Sequence, residues 1–289
     1  MYSGFTAHRD ITFGRGGEID LTLDLYVPEN PLRAVPVIVY IHGGGWRGLD
    51  KSWCPYPMRL LSQEYAVASI NYRLLDQGGA FPNHLYDCKA AVRWVRAHAG
   101  EYGLDGTHIG VWGDSAGGHL AAMVGLTGDR PELEGDSGTS GVSSAVQAAC
   151  SYFPVTDFLD RLGPDVDGSP RAAFLGQVIG VEVSETNPLS AHLDRLKAAS
   201  PVTYASADAP PMLLLHGDVD VIVSPIQSML LYEALWKAGA DVRLHLVHGG
   251  DHLDFRRDTT DIPWQSPEIH QMEDAFFYRT LKAHERPRD

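Results

Sequence analysis

The sequence predicts an α/β fold with a mostly parallel central sheet, helices on both faces and an antiparallel N-terminal edge. Apolar runs of strand length alternate with longer segments of helical period, which is the order expected for a parallel sheet covered by helices. The stretch 19–27 instead alternates acidic and apolar positions, as a half-exposed antiparallel edge strand does. The chain has 289 residues, and this order of elements predicts that residues 1–289 form a single large domain.

Continuous apolar runs predict the strands that are buried on both faces. These runs cover 35–41, 66–71, 108–112, 146–153, 211–216 and 242–247. Helical periodicity predicts helices between Pro82 and Gly100, after Gly117, and from Ser266 onward. Another helix is expected between Ser224, with Gln227 completing a capping box, and Gly239.

Residues 154–200 interrupt this alternation with scattered Asp, Gly and Pro and only weak helical patterning. Because the segment falls between two sheet strands, it predicts an insertion rather than a domain with its own core. Open α/β sheets bind ligands at the carboxyl ends of their strands. We therefore expect the insertion to form a cap over a site at that edge.

Charge and composition limit the classes of partner. The formal net charge of −14 repels a phosphate backbone, so nucleic acid is not an expected partner. No apolar run reaches about 18 residues, and the first residues lack the apolar core of a signal peptide, which predicts a cytoplasmic protein without a membrane partner. Cys54, Cys88 and Cys150 lack disulfide or zinc spacing and are expected to be buried small side chains, so no metal site is predicted.

The pattern G-D-S-A-G at residues 113–117 lies between a predicted strand and a predicted helix. In that context G-x-S-x-G predicts a nucleophile elbow, whose tight turn requires small neighbours and projects Ser115 above the sheet. The amide of Ala116, at the start of the following helix, is then a natural donor to an oxyanion. A glycine-rich loop with an ordinary serine is the alternative for this motif taken alone.

The pattern H-G-G-G-W at residues 42–46 follows another predicted buried strand. Without side chains, the amides of Gly44 and Gly45 can approach an acyl oxygen, so the pattern predicts the rest of an oxyanion hole. A phosphate-binding loop is not favoured, because the Lys and hydroxyl of a P-loop and the Rossmann glycine spacing are missing.

A serine needs a base, and the fold predicts the chain order serine, acid, histidine. Asp220 follows the predicted strand 211–216, and His252 follows the strand 242–247, which makes them the preferred acid and base. Asp218 competes with Asp220, although a residue after Gly217 often caps a turn. The histidines that compete with His252 are His245 and His248.

Four motifs together resemble the α/β-hydrolase esterases related to hormone-sensitive lipase. They lie at 42–46, 113–120, 216–220 and 249–252. Within that group the chain is similar to the bacterial feruloyl and acetyl-xylan esterase-like carboxylesterases. The resemblance implies an α/β-hydrolase fold, the triad of Ser115, Asp220 and His252, and oxyanion donors at Gly44, Gly45 and Ala116.

These residues predict hydrolysis of small carboxylic esters, with short-chain or aromatic acyl groups, through an acyl-enzyme. The mechanism needs no cofactor and no metal. Trp46 and Trp264 are candidates for the acyl and alcohol sides of the site, with packing as the alternative for each. Two other functions remain open: an amide hydrolase resembling kynurenine formamidases, and an inactive hydrolase fold that serves as a ligand receptor. The sequence also leaves open whether the protein forms a homodimer.

Overall fold

Eight strands form the sheet in this computed structural model, which describes residues 4–161, 167–252 and 263–283. The strands are β1 (Phe5–Gly16), β2 (Ile19–Pro28), β3 (Val35–Ile41), β4 (Ala66–Ile70), β5 (Leu104–Asp114), β6 (Ala148–Tyr152), β7 (Met212–Gly217) and β8 (Val242–Val247). Every predicted strand is present, and β5 extends beyond its predicted limits at both ends.

The strands are arranged in the order β1-β2-β4-β3-β5-β6-β7-β8. β2 pairs with β1 and β4 in antiparallel fashion, and all other neighbours are parallel. The mostly parallel sheet with an antiparallel N-terminal edge is therefore confirmed. The expectation that residues 19–27 form the edge strand was wrong, because β1 lies outside β2 and leaves it largely buried.

The α-helices that flank the sheet are α1 (Asn83–Ala97), α2 (Ala116–Leu126), α3 (Pro170–Ile179), α4 (Leu193–Ala198), α5 (Ile226–Ala238) and α6 (Pro267–Phe277). Short 3-10 helices cover Pro57–Gln63, Leu75–Gln77, Ala99–Tyr102, Pro131–Leu133, Leu189–His192, Pro201–Tyr204 and Pro263–Gln265, and a π-helical turn covers Tyr278–Lys282. As predicted, α6 starts after Ser266, whose hydroxyl accepts from the Ile269 amide. None of the helices in the described ranges is long and apolar enough to cross a membrane.

The capping box predicted for α5 is not formed. The amide oxygen of Gln227 accepts hydrogen bonds from the backbone amides of Thr156 and Asp157, at 2.8 and 2.9 Å, instead of turning back to Ser224. Gln227 is buried, so it ties α5 to the segment that follows β6. Its three-residue spacing from Ser224 matched a helix-start pattern, but a tertiary contact uses the side chain.

Two hydrophobic clusters lie on opposite faces of the sheet, as the alternation of strand side chains requires. Along β3, Val37, Val39 and Ile41 join the cluster that contains residues of α1 and α2. Ile38 and Tyr40 point the other way, into the cluster that contains residues of α6. Burial on both faces explains why β3 is a continuous apolar run.

The predicted insertion, 154–200, lies between β6 and β7 and contains α3 and α4, while residues 162–166 are outside the described ranges. Buried α3 residues such as Leu175 and Val178 belong to the same cluster as α1 and α2. The carbonyl of Val178 also accepts a 2.7 Å hydrogen bond from the amide of Phe81. The segment thus shares the main core. Its role as a cap, and the single domain over 1–289, remain predictions.

Candidate active site

Ser115 lies on the sharp turn between β5 and α2. Its backbone has φ 54° and ψ −116°, a conformation that L-residues rarely adopt. A Cβ on Gly113 would lie 2.2 Å from the Gly117 carbonyl oxygen, and one on Gly117 would lie 2.0 Å from the Ile41 oxygen. Both glycines are therefore required by backbone contacts, and the turn is a nucleophile elbow in its geometry.

Ser115, His252 and Asp220 are joined by hydrogen bonds. The Nε2 atom of His252 is 2.9 Å from the Ser115 hydroxyl, and its Nδ1 atom is 2.6 Å from Oδ2 of Asp220. The other carboxylate oxygen of Asp220 accepts from the amides of Ile222 and Val223, at 2.8 and 2.9 Å. This network fits a tautomer in which Nδ1 donates to the carboxylate and Nε2 accepts the serine proton. The structure thus brings together the three residues that the sequence selected as acid, base and nucleophile.

The competing acid and base form a separate pair at the surface. The imidazole of His248 lies 2.9 Å from Asp218, and the Gly249 amide donates to the other Asp218 oxygen at 2.7 Å. The His248 side chain is 99% exposed, whereas that of His252 is 5% exposed. His245 lies within β8. Asp218 therefore fixes the turn after β8, and its carboxylate does not contact His252.

The carboxylate of Asp220 is held in its ionised form. Burial favours the neutral acid, but hydrogen bonds from His216 and His252 and the charge of His252 outweigh that cost and hold the pKa of Asp220 well below its ordinary value. A carboxylate ionised over the whole physiological range can balance an imidazolium that forms next to it. The ring of Phe153 packs 4.7 Å from that of His252 and shields the pair.

The loop after β3 carries the predicted oxyanion donors Gly44 and Gly45. Both have positive φ, 94° and 61°, and a Cβ on Gly44 would lie 2.2 Å from the Gly48 carbonyl oxygen. The amides of Gly44, Gly45 and Ala116 donate no hydrogen bond to any residue within the described ranges. These three N–H groups are thus available to a ligand, as an oxyanion hole requires.

Asp114 connects the elbow to this loop. Its Oδ1 atom accepts hydrogen bonds from the Tyr40 phenol at 2.5 Å and from the Gly43 amide at 3.1 Å. Burial raises the pKa of Asp114 to about 6, although both hydrogen bonds act in the opposite direction. Asp114 therefore has a structural role, and Tyr40 is a supporting residue that sequence reasoning missed. As the only polar group in the run 35–41, its phenol was the available signal.

Trp46 and Trp264 are almost completely buried, at 3% and 1% exposure. Trp46 belongs to the same hydrophobic cluster as α1 and α2, and its ring packs against those of His84, His119, Phe158 and Phe174. The indole nitrogen of Trp264 donates to the Asp251 carbonyl at 3.1 Å, and its ring contacts those of Tyr152 and Phe153. The packing alternative describes these contacts, and a substrate contact for either ring remains a prediction.

His119 is a buried histidine in the first turn of α2. His119 is buried one turn after Ser115, donates to the Ala199 carbonyl at 2.8 Å, and has its pKa lowered to about 4 by burial. A buried, neutral histidine with a backbone partner has a structural role. Across the described ranges, no group of three or more His, Cys, Asp or Glu side chains is arranged to hold a metal ion.

Comparison with known proteins links this geometry to a family. A family model described as BD-FAE matches residues 23–235. Esterase LipQ of Mycobacterium tuberculosis is 34% identical over 235 residues, which cover 80% of this chain and 53% of LipQ. The chain spans about half the length of the curated relatives it matches.

Solved structures match over nearly the full chain. A truncated carbohydrate esterase from gut microbiota superposes with a TM-score of 0.80 at 26% identity, over 96% of each chain. Est2, a thermophilic esterase of Thermogutta terrifontis, gives a TM-score of 0.77 at 27% identity, over 98% of this chain and 96% of that one. Its form phosphorylated by paraoxon gives 0.72 at 26% identity, over 96% and 94%. These similarities confirm the α/β-hydrolase fold and the resemblance to esterases that the motifs predicted.

Proposed function

The chain belongs to the BD-FAE family, and from that premise we propose that it is a carboxylic ester hydrolase with Ser115 as its nucleophile. The observation that carries the proposal is the continuous hydrogen-bonded series from Asp220 through His252 to the hydroxyl of Ser115. A serine with this support, on a strained elbow beside free backbone amides, has the groups that acyl transfer requires. The relatives and structural neighbours of the chain are named as esterases, which gives independent support to this proposal.

In the proposed mechanism, the Ser115 oxygen attacks the ester carbonyl while Nε2 of His252 takes the hydroxyl proton. Asp220 stabilises the imidazolium and keeps the ring in the required orientation. The amides of Gly44, Gly45 and Ala116 donate to the oxyanion of the tetrahedral intermediate. His252 then gives its proton to the leaving alcohol, and a water activated in the same way releases the acid from Ser115. All of these steps use groups of the chain and water.

We further propose that the acyl group is short-chain or aromatic. The insertion between β6 and β7 is short, and α3 shares the main core through Leu175 and Val178. A long acyl chain needs an extended apolar groove to bind in. The sequence contains no large apolar lid segment that could form one. Small water-soluble esters are therefore the expected substrates.

Irreversible phosphorylation by paraoxon tests the assignment of Ser115, since one relative is described as phosphorylated by this compound. We expect the wild-type protein to be labelled with loss of aryl acetate turnover, and the Ser115→Ala variant to be neither labelled nor active. Ser224→Ala is the matched control, because Ser224 is an exposed serine in the loop after β7 and is expected to leave labelling unchanged. Undiminished labelling of Ser115→Ala would refute the nucleophile, and a wild-type protein inert to both reagents would favour the ligand-receptor alternative.

A further inference from the structure

A second buried histidine contacts the same carboxylate as His252. His216, at the end of β7, has its Nε2 atom 3.3 Å from Oδ2 of Asp220 and 2.8 Å from the carbonyl oxygen of Val223. Its Nδ1 atom is 2.7 Å from the hydroxyl of Ser228 in α5. The side chains of His216 and Asp220 are both 0% exposed.

These contacts determine the tautomer of His216. The carbonyl of Val223 accepts a hydrogen bond at 2.8 Å, so Nε2 carries the proton, and the same nitrogen lies 3.3 Å from Oδ2 of Asp220. The Ser228 hydroxyl can rotate its hydrogen toward Nδ1, which then acts as an acceptor. A neutral imidazole thereby satisfies every partner that the structure gives it.

His216 and His252 therefore share one oxygen of Asp220. The Nδ1 atom of His252 lies 2.6 Å from Oδ2 on one side, and Nε2 of His216 lies 3.3 Å from it on the other. Oδ1 is already occupied by the Ile222 and Val223 amides. His252 and the two amides hold both oxygens of the carboxylate, and His216 adds a second contact at Oδ2.

We propose that His216 is a positioning residue for the catalytic acid: its Nε2–H fixes the Asp220 carboxylate and withdraws part of the negative charge that Oδ2 presents to His252. The inference rests on the proposed function, because it assigns His216 a role in orienting the acid of that mechanism. His216 is not in contact with Ser115 in this network and acts only through Asp220. The burial of Asp220 makes this donor important, since an ionised carboxylate without enough donors is costly in a buried site.

The charged and titratable groups around Asp220 come from several elements. His216 faces it from β7, His252 from the loop after β8, and Arg161, in the segment after β6, interacts with it electrostatically. Asp218 lies on the same loop as Asp220 but pairs with His248. His216 and His252 are the two side chains that contact the Asp220 carboxylate directly, and only His216 can be changed without removing the proposed base. Substitution of His216 is therefore the cleanest test of how Asp220 is positioned.

Three substitutions separate donation from packing. Leu at position 216 removes both ring nitrogens, and Asn retains a polar group near Ser228 but is too short to reach Asp220. Gln places an amide donor near the position of Nε2. We expect His216→Leu and His216→Asn to lower kcat by about 10- to 100-fold, the size of one hydrogen bond to a charged group, with KM changed by less than about twofold. His216→Gln should retain most of the activity.

The pH profile supplies a readout that a packing defect would not move. Without the second donor, Oδ2 presents its full charge to His252 and favours the protonated base. The acid limb of kcat/KM on an aryl acetate should therefore shift to higher pH by about half a unit in His216→Leu and His216→Asn, and not in His216→Gln. Ser228→Ala is the matched control, because it removes the partner of Nδ1 but leaves Nε2 facing the two acceptors. We expect it to lower the melting temperature without shifting the acid limb.

The outcomes distinguish this inference from the proposed function. If Ser115→Ala retains turnover, the proposed function fails and the position of the acid limb has no bearing on a triad. If Ser115→Ala is inactive but the acid limb stays unchanged in both His216→Leu and His216→Asn, only the role of His216 is refuted. An equal shift in Ser228→Ala would also refute it, because the shift would then reflect general disturbance of α5. If His216→Leu does not fold, the comparison of His216→Asn with His216→Gln decides.

Discussion

The phenol of Tyr40 donates a 2.5 Å hydrogen bond to the Asp114 carboxylate, which links β3 to the residue directly before Ser115. The same oxygen of Asp114 accepts from the amide of Gly43 at 3.1 Å. One buried carboxyl group therefore joins the strand, the oxyanion loop and the elbow. A change in the protonation of Asp114 should therefore affect the contacts of the strand, the oxyanion loop and the elbow together.

Asp114→Asn should change how stability depends on pH. The pKa of Asp114 is about 6 in the folded protein, above its ordinary value of 3.8, so the folded state binds more protons between those values. Its contribution to the free energy of unfolding is therefore fully present below about pH 4 and is lost as the pH rises through about 6. We expect the melting temperature of Asp114→Asn, relative to wild type, to increase between pH 4 and pH 7. A constant difference across this range would contradict the raised pKa.

Asp218 and Asp220, the two carboxylates in the loop after β7, should differ in their contributions to catalysis and stability. Asp220→Asn replaces the acceptor that binds Nδ1 of His252 and is expected to lower kcat by about 10⁴-fold, as the corresponding change does in a serine protease. Asp218→Asn weakens a surface contact with His248 and Gly249 and should lower the melting temperature slightly, with kcat little changed. Steady-state kinetics on an aryl acetate, with melting curves for both variants, provide the comparison. A greater loss of kcat in Asp218→Asn would show that the wrong acid was selected.

The oxyanion loop offers a matched pair of glycines. Gly44→Ala forces a Cβ to within 2.2 Å of the Gly48 carbonyl oxygen, whereas a Cβ on Gly45 meets nothing within 4 Å. Both positions have positive φ, so both variants carry a similar backbone cost of about 1–2 kcal/mol. We expect kcat/KM to fall by about 100-fold or more in Gly44→Ala, because the loop must move, and by less than about tenfold in Gly45→Ala. Equal losses in the two variants would argue against a specific role for the contact at Gly44.

Acyl length should limit the substrate range. Aryl acetates, butyrates and small aromatic acyl esters are expected to be hydrolysed, and kcat/KM should fall steeply toward aryl palmitates, because the sequence of the short insertion contains no large apolar lid segment. Measuring kcat/KM across this series with one leaving group isolates the acyl side. Efficient hydrolysis of emulsified long-chain triglyceride would overturn this expectation.

The presence of the central strands, and the mostly parallel type of the sheet, followed from the sequence because burial on both faces makes a strand a continuous apolar run. The first strand, β1, gave no such signal, since most of its residues are at least partly exposed at the edge of the sheet. Its omission led to the wrong position for β2 at the edge. Gln227 shows a second limit: its spacing from Ser224 is local, but its partners, Thr156 and Asp157, lie about seventy residues earlier in the chain.

The main residues of the candidate site could be predicted from the sequence because each follows a predicted strand at the same edge of the sheet. Asp218 and Asp220 are only two residues apart, so spacing alone did not separate them on physical grounds. In the structure Asp218 contacts the exposed His248, whereas Asp220 contacts the buried His252. The supporting groups, Tyr40 and His216, were not predicted. Their contacts depend on the neighbouring strand or helix in space, which the linear spacing of one chain does not reveal.

The order of strands in the sheet has a consequence for renaturation. β3 lies between β4 and β5, so the oxyanion loop and the elbow meet only after strands distant in the chain have paired, and the acid and base follow β7 and β8 at the far side. Pairings that close long loops form late compared with helices. After dilution from denaturant, we expect the circular dichroism signal of helices to return before hydrolytic turnover. The rate at which turnover recovers would then report the rate at which the sheet from β3 to β8 is completed.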